Sequence, residues 1–89
     1  DPHNMRNIYP YPLLVEDGIL PPGLSNQAQR SFYDCLSRQV RRYYPSTQAF
    51  FNAVIGDANA QAPIVDMQQQ CAANLFDWTV EVDETILVD

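Results

Sequence analysis

The fold is decided by residues 25–43, which read SNQAQRSFYDCLSRQVRRY. In this stretch and just before it, apolar side chains recur every three or four residues, as on one face of an α-helix. They are Leu24, Ala28, Phe32, Cys35, Leu36, Val40 and Tyr43. Ser25 is a favourable N-cap, and Pro45 cannot continue a helix. The pattern therefore predicts a long amphipathic helix from about residue 25 to about residue 43.

Two further helices are predicted downstream. Ser46 is a second candidate N-cap, and the apolar face that follows it ends at Gly56, a favourable residue after a helix. A polar loop, residues 57–62, separates this helix from a third one, which we expect to begin near Pro63. The stripe that predicts the third helix consists of Ile64, Gln68, Cys71, Ala72, Leu75 and Trp78. The expected fold class is mostly α, a small three-helix domain.

The flanking segments are predicted to be non-helical. Residues 1–12, DPHNMRNIYPYP, read as a proline-rich extended arm, because residues that precede proline avoid the helical region. A proline-rich ligand for another domain is the alternative. Short β-strands are expected near 13–20, where Asp17-Gly18 is a hairpin signal and a single apolar turn is the alternative, and near 79–88, where β-branched residues dominate.

The length of the chain favours a single domain that covers residues 1–89. Of its residues, 46% are apolar, which is typical of a globular fold, and the longest apolar run is far too short to span a bilayer. A core this small gains from an added cross-link.

The two cysteines, Cys35 and Cys71, lie on the apolar stripes of the first and third predicted helices. Antiparallel helices packed about 8–10 Å apart can bring such positions within disulfide reach. We therefore predict a disulfide, which would place the protein outside the cell or in another oxidising compartment. The alternative is a pair of buried, reduced thiols in a cytosolic protein.

Charge is unevenly distributed along a chain whose net charge is −6 and which contains no lysine. Residues 1–42 hold five arginines and four acids, a sum of +1, whereas residues 43–89 hold seven acids and no base, a sum of −7. The second half would repel a phosphate backbone, so we expect no nucleic-acid partner. It serves either solubility alone or attraction to a basic protein surface.

No catalytic constellation is found in the sequence. A nucleophilic triad needs a base beside the nucleophile, and the only histidine is His3, near the start of the chain. Only His3 could join the two cysteines as a zinc ligand, so no metal and no cofactor are expected. The acids Asp66, Asp77, Glu81, Asp83 and Glu84 read as a solvated surface. We expect the protein not to be an enzyme.

The candidate partner-binding residues are Arg38, Arg41, Arg42, Tyr43 and Tyr44, at the end of the first long helix. Arginine and tyrosine are enriched at protein interfaces, although cations also suit a helix C-terminus. The leading hypothesis is a small secreted interaction protein, a signal, effector or toxin, that binds a protein partner. One alternative is a carrier of a small apolar ligand, with a pocket lined by Phe32, Phe50, Phe51, Phe76 and Trp78. Another is an acidic immunity or inhibitor protein that masks a basic partner.

Overall fold

The computed structural model describes the backbone of residues 2–88 and the side chains of residues 4–75. Within the described backbone there are five helices and no strand. They are α1 (Pro2–Ile8), α2 (Tyr11–Glu16), α3 (Asn26–Tyr43), α4 (Thr47–Val54) and α5 (Ala58–Val88). The mostly-α fold class is confirmed. The extended arm at 1–12 and the short strands near 13–20 and 79–88 are wrong, and there are five helices rather than three.

The N-terminal segment is helical because its prolines open helices. Pro10 is the N-cap of α2, and Pro12 lies in its first turn. The first N–H groups of a helix have no acceptor inside the helix, so proline loses no hydrogen bond there. Tyr11 is therefore helical although it precedes a proline, which is why the expected arm is wrong.

The Asp17-Gly18 pair ends α2 instead of forming a hairpin. Gly18 has φ of 78°, and its N–H donates to the carbonyl of Val15 at 3.1 Å, while the N–H of Ile19 donates to the carbonyl of Leu14 at 2.9 Å. These two bonds form a Schellman motif. Residues 13–20 thus offer no strand for 79–88 to pair with. That segment continues α5, whose backbone hydrogen bonds need no partner strand.

The predicted boundaries of α3 are confirmed, and that of α5 is not. The Ser25 hydroxyl caps α3 by accepting from the N–H of Ala28 at 3.1 Å. A carboxylate oxygen of Asp57 accepts from the N–H of Ala60 at 2.9 Å, so α5 begins at Ala58 and Pro63 lies inside it. A Cβ on Gly56 would lie 2.6 Å from that of Ala60, so the tight α4–α5 turn needs glycine.

Helix α3 lies at the centre of the core, with α1 and α5 packed against it and α4 packed against α5. Phe32, Tyr33 and Leu36 of α3 have no exposed surface. The other helices contribute Met5, Leu14, Phe50, Ala53, Ile64, Met67, Cys71 and Ala72. The predicted disulfide is confirmed: Cys35 and Cys71 are bonded, with their Cα atoms 5.8 Å apart. This bridge fastens α3 to α5.

Candidate functional site

The five predicted partner-binding residues meet at one end of α3 but not on one surface. Arg38, Arg42 and Tyr43 are exposed on the side of α3 that faces α5. Arg41 is exposed on the side that faces α1 and α4, and the half-buried Tyr44 lies there too. Successive residues of a helix point about 100° apart, so the consecutive residues 41–44 cannot all share a face. Their role in partner binding stays a prediction.

Two neighbouring depressions lie one after the other along the solvent-facing side of the contact between α3 and α5, and we call them together the seam groove. It consists of two depressions, one of about 550 Å³ that includes Arg38 and one of about 750 Å³ that includes Arg42 and Tyr43. Its walls are residues 28, 31, 35, 38 and 42 of α3 and residues 59, 63, 66, 70 and 74 of α5. Each set is spaced by three or four, so the depressions lie on one side of the helix pair.

A second, smaller depression lies on the other side of the end of α3. It measures about 310 Å³ and is enclosed by α1, α3 and α4, with Ile8, Arg41 and Phe51 among its lining residues. The Arg41 guanidinium donates to the Ser37 hydroxyl at 3.1 Å. Arg41 is thus partly held in place within its own helix, unlike the arginines of the seam groove.

Four aromatic rings connect the two sides of this end of α3. Ring centroids lie 4.8 Å apart for Tyr43 and Tyr44, 5.7 Å for Tyr44 and Phe50, and 5.7 Å for Phe50 and Phe51. Phe50 is 3% exposed, whereas Tyr43 is 59% and Phe51 41% exposed. The two ends of this aromatic series therefore reach solvent. The exposure of Phe51 follows from helix geometry, because adjacent helical phenylalanines point about 100° apart and cannot both face the core.

Burial controls the ionisation of the tyrosines near this end. Burial, together with a smaller contribution from the neighbouring Tyr44, raises the pKa of Tyr9 to about 12. Burial, aided by Tyr43, also raises the pKa of Tyr44. The Tyr44 hydroxyl is buried and has no hydrogen-bond partner within the described part of the chain. Both phenols are neutral at physiological pH, so this end of α3 owes its positive charge to its arginines.

The arginines of the seam groove have no ion-pair partner among the described side chains, residues 4–75. Within the described side chains, neither Arg38 nor Arg42 forms an ion pair or a hydrogen bond. Asp66 lies on the opposite wall of the groove and is exposed. The groove therefore has a positive wall on α3 and a negative group on α5. No sequence pattern marked the α5 wall, because Asp66 and Gln70 resemble an ordinary polar face.

A different arginine–tyrosine pair joins α1 to α3. The Arg6 guanidinium lies 4.5 Å from the centroid of the Tyr33 ring and donates to the Gln29 side chain at 3.3 Å. The Tyr33 hydroxyl donates to the carbonyl of Tyr9 at 2.7 Å, and the Gln29 amide donates to the carbonyl of Leu24 at 2.9 Å. Every one of these polar groups has a partner, so this pair is structural.

Of the described residues expected to line a ligand pocket, Phe50 and Phe51 border the same depression between α1, α3 and α4, and Phe32 does not. Phe32 and Phe50 belong to the core, and Phe51 is at the surface. Phe76 and Trp78 lie outside the described side chains, as do His3 and the acids of residues 77–89 on which the inhibitor alternative depends. Both alternatives stay predictions. The described residues contain no group of three or more histidine, cysteine, aspartate or glutamate side chains placed to hold a metal ion.

In the part of the chain that the structure describes, no helix combines the length and apolar character needed to cross a bilayer. No protein-family model matches the chain, and neither a curated protein nor a solved structure shows significant similarity to it.

Proposed function

We propose that this is a small secreted protein that acts by binding a protein partner through the C-terminal end of α3. The observation that carries the proposal is the placement of Arg42 and Tyr43, which stand side by side and exposed at the edge of the seam groove. Arginine and tyrosine are among the residues that most often dominate binding energy at interfaces. A secreted signal, an effector and a toxin would all use such a surface.

The exposed Tyr43 ring is positioned before any partner arrives. Its edge packs against the ring of Tyr44, which in turn contacts the buried Phe50. Since immobilising a free side chain costs about 0.5–1.5 kcal/mol of binding free energy, a ring that is already held binds at a smaller entropic cost. Arg42 has no ion pair among the described side chains, so within that part of the chain its guanidinium is not already bound to a carboxylate.

The disulfide supports the extracellular part of the proposal. The Cys35–Cys71 bond cross-links the two longest helices. Bonds of this kind persist in oxidising compartments and are rare in the reducing cytosol. Intact mass of protein isolated from its native source, measured without reductant, tests this point. We expect the mass of the oxidised form, and finding both thiols free would contradict secretion.

Partner capture tests the binding surface. Oxidised protein is immobilised and exposed to extracellular fluid from the native source, and the Arg42→Ala/Tyr43→Ala variant is compared with Arg30→Ala, which removes an exposed arginine elsewhere on α3. We expect the double variant to capture its partner at least about 10-fold less well, and the control to match the wild type. Thermal unfolding checks that both variants are folded. Equal capture by both variants would contradict the proposal.

A further inference from the structure

We infer that the seam groove binds an extended, acidic segment of the partner protein. Two acidic residues of this segment, separated by one other residue, place one carboxylate on Arg38 and the other on Arg42. The inference rests on the proposed function and specifies the chemistry of the partner. It follows from the spacing of the two arginines, from the walls of the groove and from their charges.

The spacing comes from helix geometry. Arg38 and Arg42 are four residues apart on α3, so their Cα atoms lie about 6 Å apart along the axis at about 1.5 Å per residue. Along a β-strand, side chains on the same side are two residues apart, which is about 6.6 Å. An acidic residue, any residue and a second acidic residue therefore present two carboxylates at nearly the interval of the two guanidinium groups.

The groove is long enough for such a segment. It extends from Leu24 and Leu75 at one end to Tyr43 and Asn59 at the other. The corresponding stretch of α3 is about 28 Å long, which an extended peptide covers with about eight or nine residues. The half-buried Leu24, Cys35 and Pro63 provide apolar surface along it. Side chains of the bound segment that point inward could therefore be apolar.

The walls favour an extended ligand over a helical one. Four amide side chains line the groove: Gln39, Asn59, Gln70 and Asn74. Each of them can donate and accept a hydrogen bond, as an extended peptide backbone also can, whereas a helix uses its backbone groups internally. Among these amides only Gln39 has a partner within the described residues, the sulfur of Cys35 at 3.8 Å. The other three remain available to a ligand.

The charges set the side on which the acidic residues lie. The α3 wall carries the guanidinium groups of Arg38 and Arg42, neither of them in an ion pair among the described side chains, and the α5 wall carries Asp66. Like charges repel, so the carboxylates of the ligand belong against α3. The repulsion from the rest of the acidic chain falls off over about 8 Å at physiological salt, so the nearby arginines dominate. Replacing Asp66 by asparagine should therefore strengthen binding.

Titration of synthetic peptides into nitrogen-15-labelled oxidised protein tests the inference. The probe is PTEVETP, whose prolines disfavour a helix, and its matched controls are PTKVKTP and the wider-spaced PTEVVETP. We expect PTEVETP to shift the amide signals of the seam groove, PTKVKTP to shift none of them, and PTEVVETP to bind several-fold more weakly. Arg38→Ala/Arg42→Ala should lower the affinity about 10-fold, since each exposed pair contributes modestly.

The matched control variant is Arg30→Ala/Arg41→Ala, which removes the same charge from a different side of α3. It should bind PTEVETP within about twofold of the wild type, and Asp66→Asn should bind it about two- to threefold more tightly. Equal loss in both double variants, or equal binding of the lysine peptide, would overturn the inference. So would tighter binding of a helical peptide with carboxylates four residues apart, or groove signals that shift with protein concentration alone, which would identify a second copy as the occupant.

The two proposals fail separately. If PTEVETP leaves the groove signals unchanged while partner capture still depends on Arg42 and Tyr43, the acidic-segment inference falls and the proposed function stands. If capture does not depend on these residues, the proposed function falls whatever the peptides do.

Discussion

Helix α3 takes part in two arginine–tyrosine pairs, and the two pairs are used differently. Near the middle of α3, Arg6 of α1 lies over the Tyr33 ring, and the Tyr33 hydroxyl is hydrogen-bonded to a backbone carbonyl. At the C-terminal end of α3, Arg42 has no bonded partner among the described side chains, and the exposed Tyr43 ring packs against the ring of Tyr44. The same residue types therefore stabilise the fold in the middle of α3 and are exposed for binding at its end. Satisfied hydrogen bonds, not composition, distinguish them.

The largest expected effect is the loss of stability when the disulfide is removed and the fold must rely on contacts such as that between Arg6 and Tyr33. Cys35→Ala/Cys71→Ala removes a bridge across 36 positions of sequence, which should lower the free energy of unfolding by about 4 kcal/mol in the chain-entropy description. Urea unfolding of oxidised wild type and the variant measures it, with reduced wild type as the control. A loss below about 1 kcal/mol would mean that the contact between α1 and α3 suffices.

The next effect compares the two arginines directly. Arg6→Ala removes a cation–π contact and a hydrogen bond to Gln29, so we expect a loss of about 2 kcal/mol in unfolding free energy. Arg42→Ala should change it by less than about 0.5 kcal/mol. Chemical denaturation of both variants provides the measurement. Similar losses at the two positions would erase the distinction between the structural and the binding pair.

A smaller effect compares two tyrosine hydroxyls, and its sign should differ between them. Tyr33→Phe loses the bond to the Tyr9 carbonyl and should destabilise by about 1 kcal/mol. Tyr44→Phe removes a buried hydroxyl without a partner in the described residues, so stability should stay the same or rise, by up to about 1 kcal/mol. Melting temperatures of the two variants rank them. Destabilisation by Tyr44→Phe would show that its hydroxyl is bonded after all.

The smallest expected effect is a dependence of folding stability on pH that is absent at neutral pH. The pKa of Tyr9 is about 12 in the folded protein, against its ordinary value of 10.0, so the unfolded chain releases this proton first as the pH rises. Stability contributed by the neutral phenol is therefore present below about pH 10 and lost between about pH 10 and pH 12. Urea unfolding across this range should show the loss, and Tyr9→Phe should make it shallower. An unchanged slope in that variant would contradict the assignment.

Local sequence signals predicted α3 well, because each of them acts within a few residues. The Ser25 cap, the apolar spacing and Pro45 all agree with the helix that forms. Asp17-Gly18 was misinterpreted because a hairpin turn and a helix C-cap use the same left-handed glycine. Only the hydrogen bond from Ile19 back to Leu14 decides between them, and that depends on the preceding residues being helical.

The candidate site was predicted only in part, for a related reason. The run from Arg38 to Tyr44 marked the end of α3, but its division between two sides depends on where α5 and α1 pack. The α5 wall of the seam groove could not be found from sequence, since an exposed Asp66 or Gln70 resembles any solvated helix residue. That wall is defined by which residues are buried and which residues contact one another, and both depend on the folded structure.

The bond between Cys35 and Cys71 also determines what a protease can remove. It closes a covalent ring that holds the end of α3, all of α4 and the N-terminal part of α5. One backbone cut anywhere inside that ring opens it without releasing a fragment. Helices α1 and α2 lie outside the ring, so a cut between them would separate α1, and with it Arg6, from the rest of the chain. Proteolysis can therefore remove Arg6 and so abolish its contact with Tyr33. The C-terminal end of α3 stays covalently attached to α5 through the disulfide.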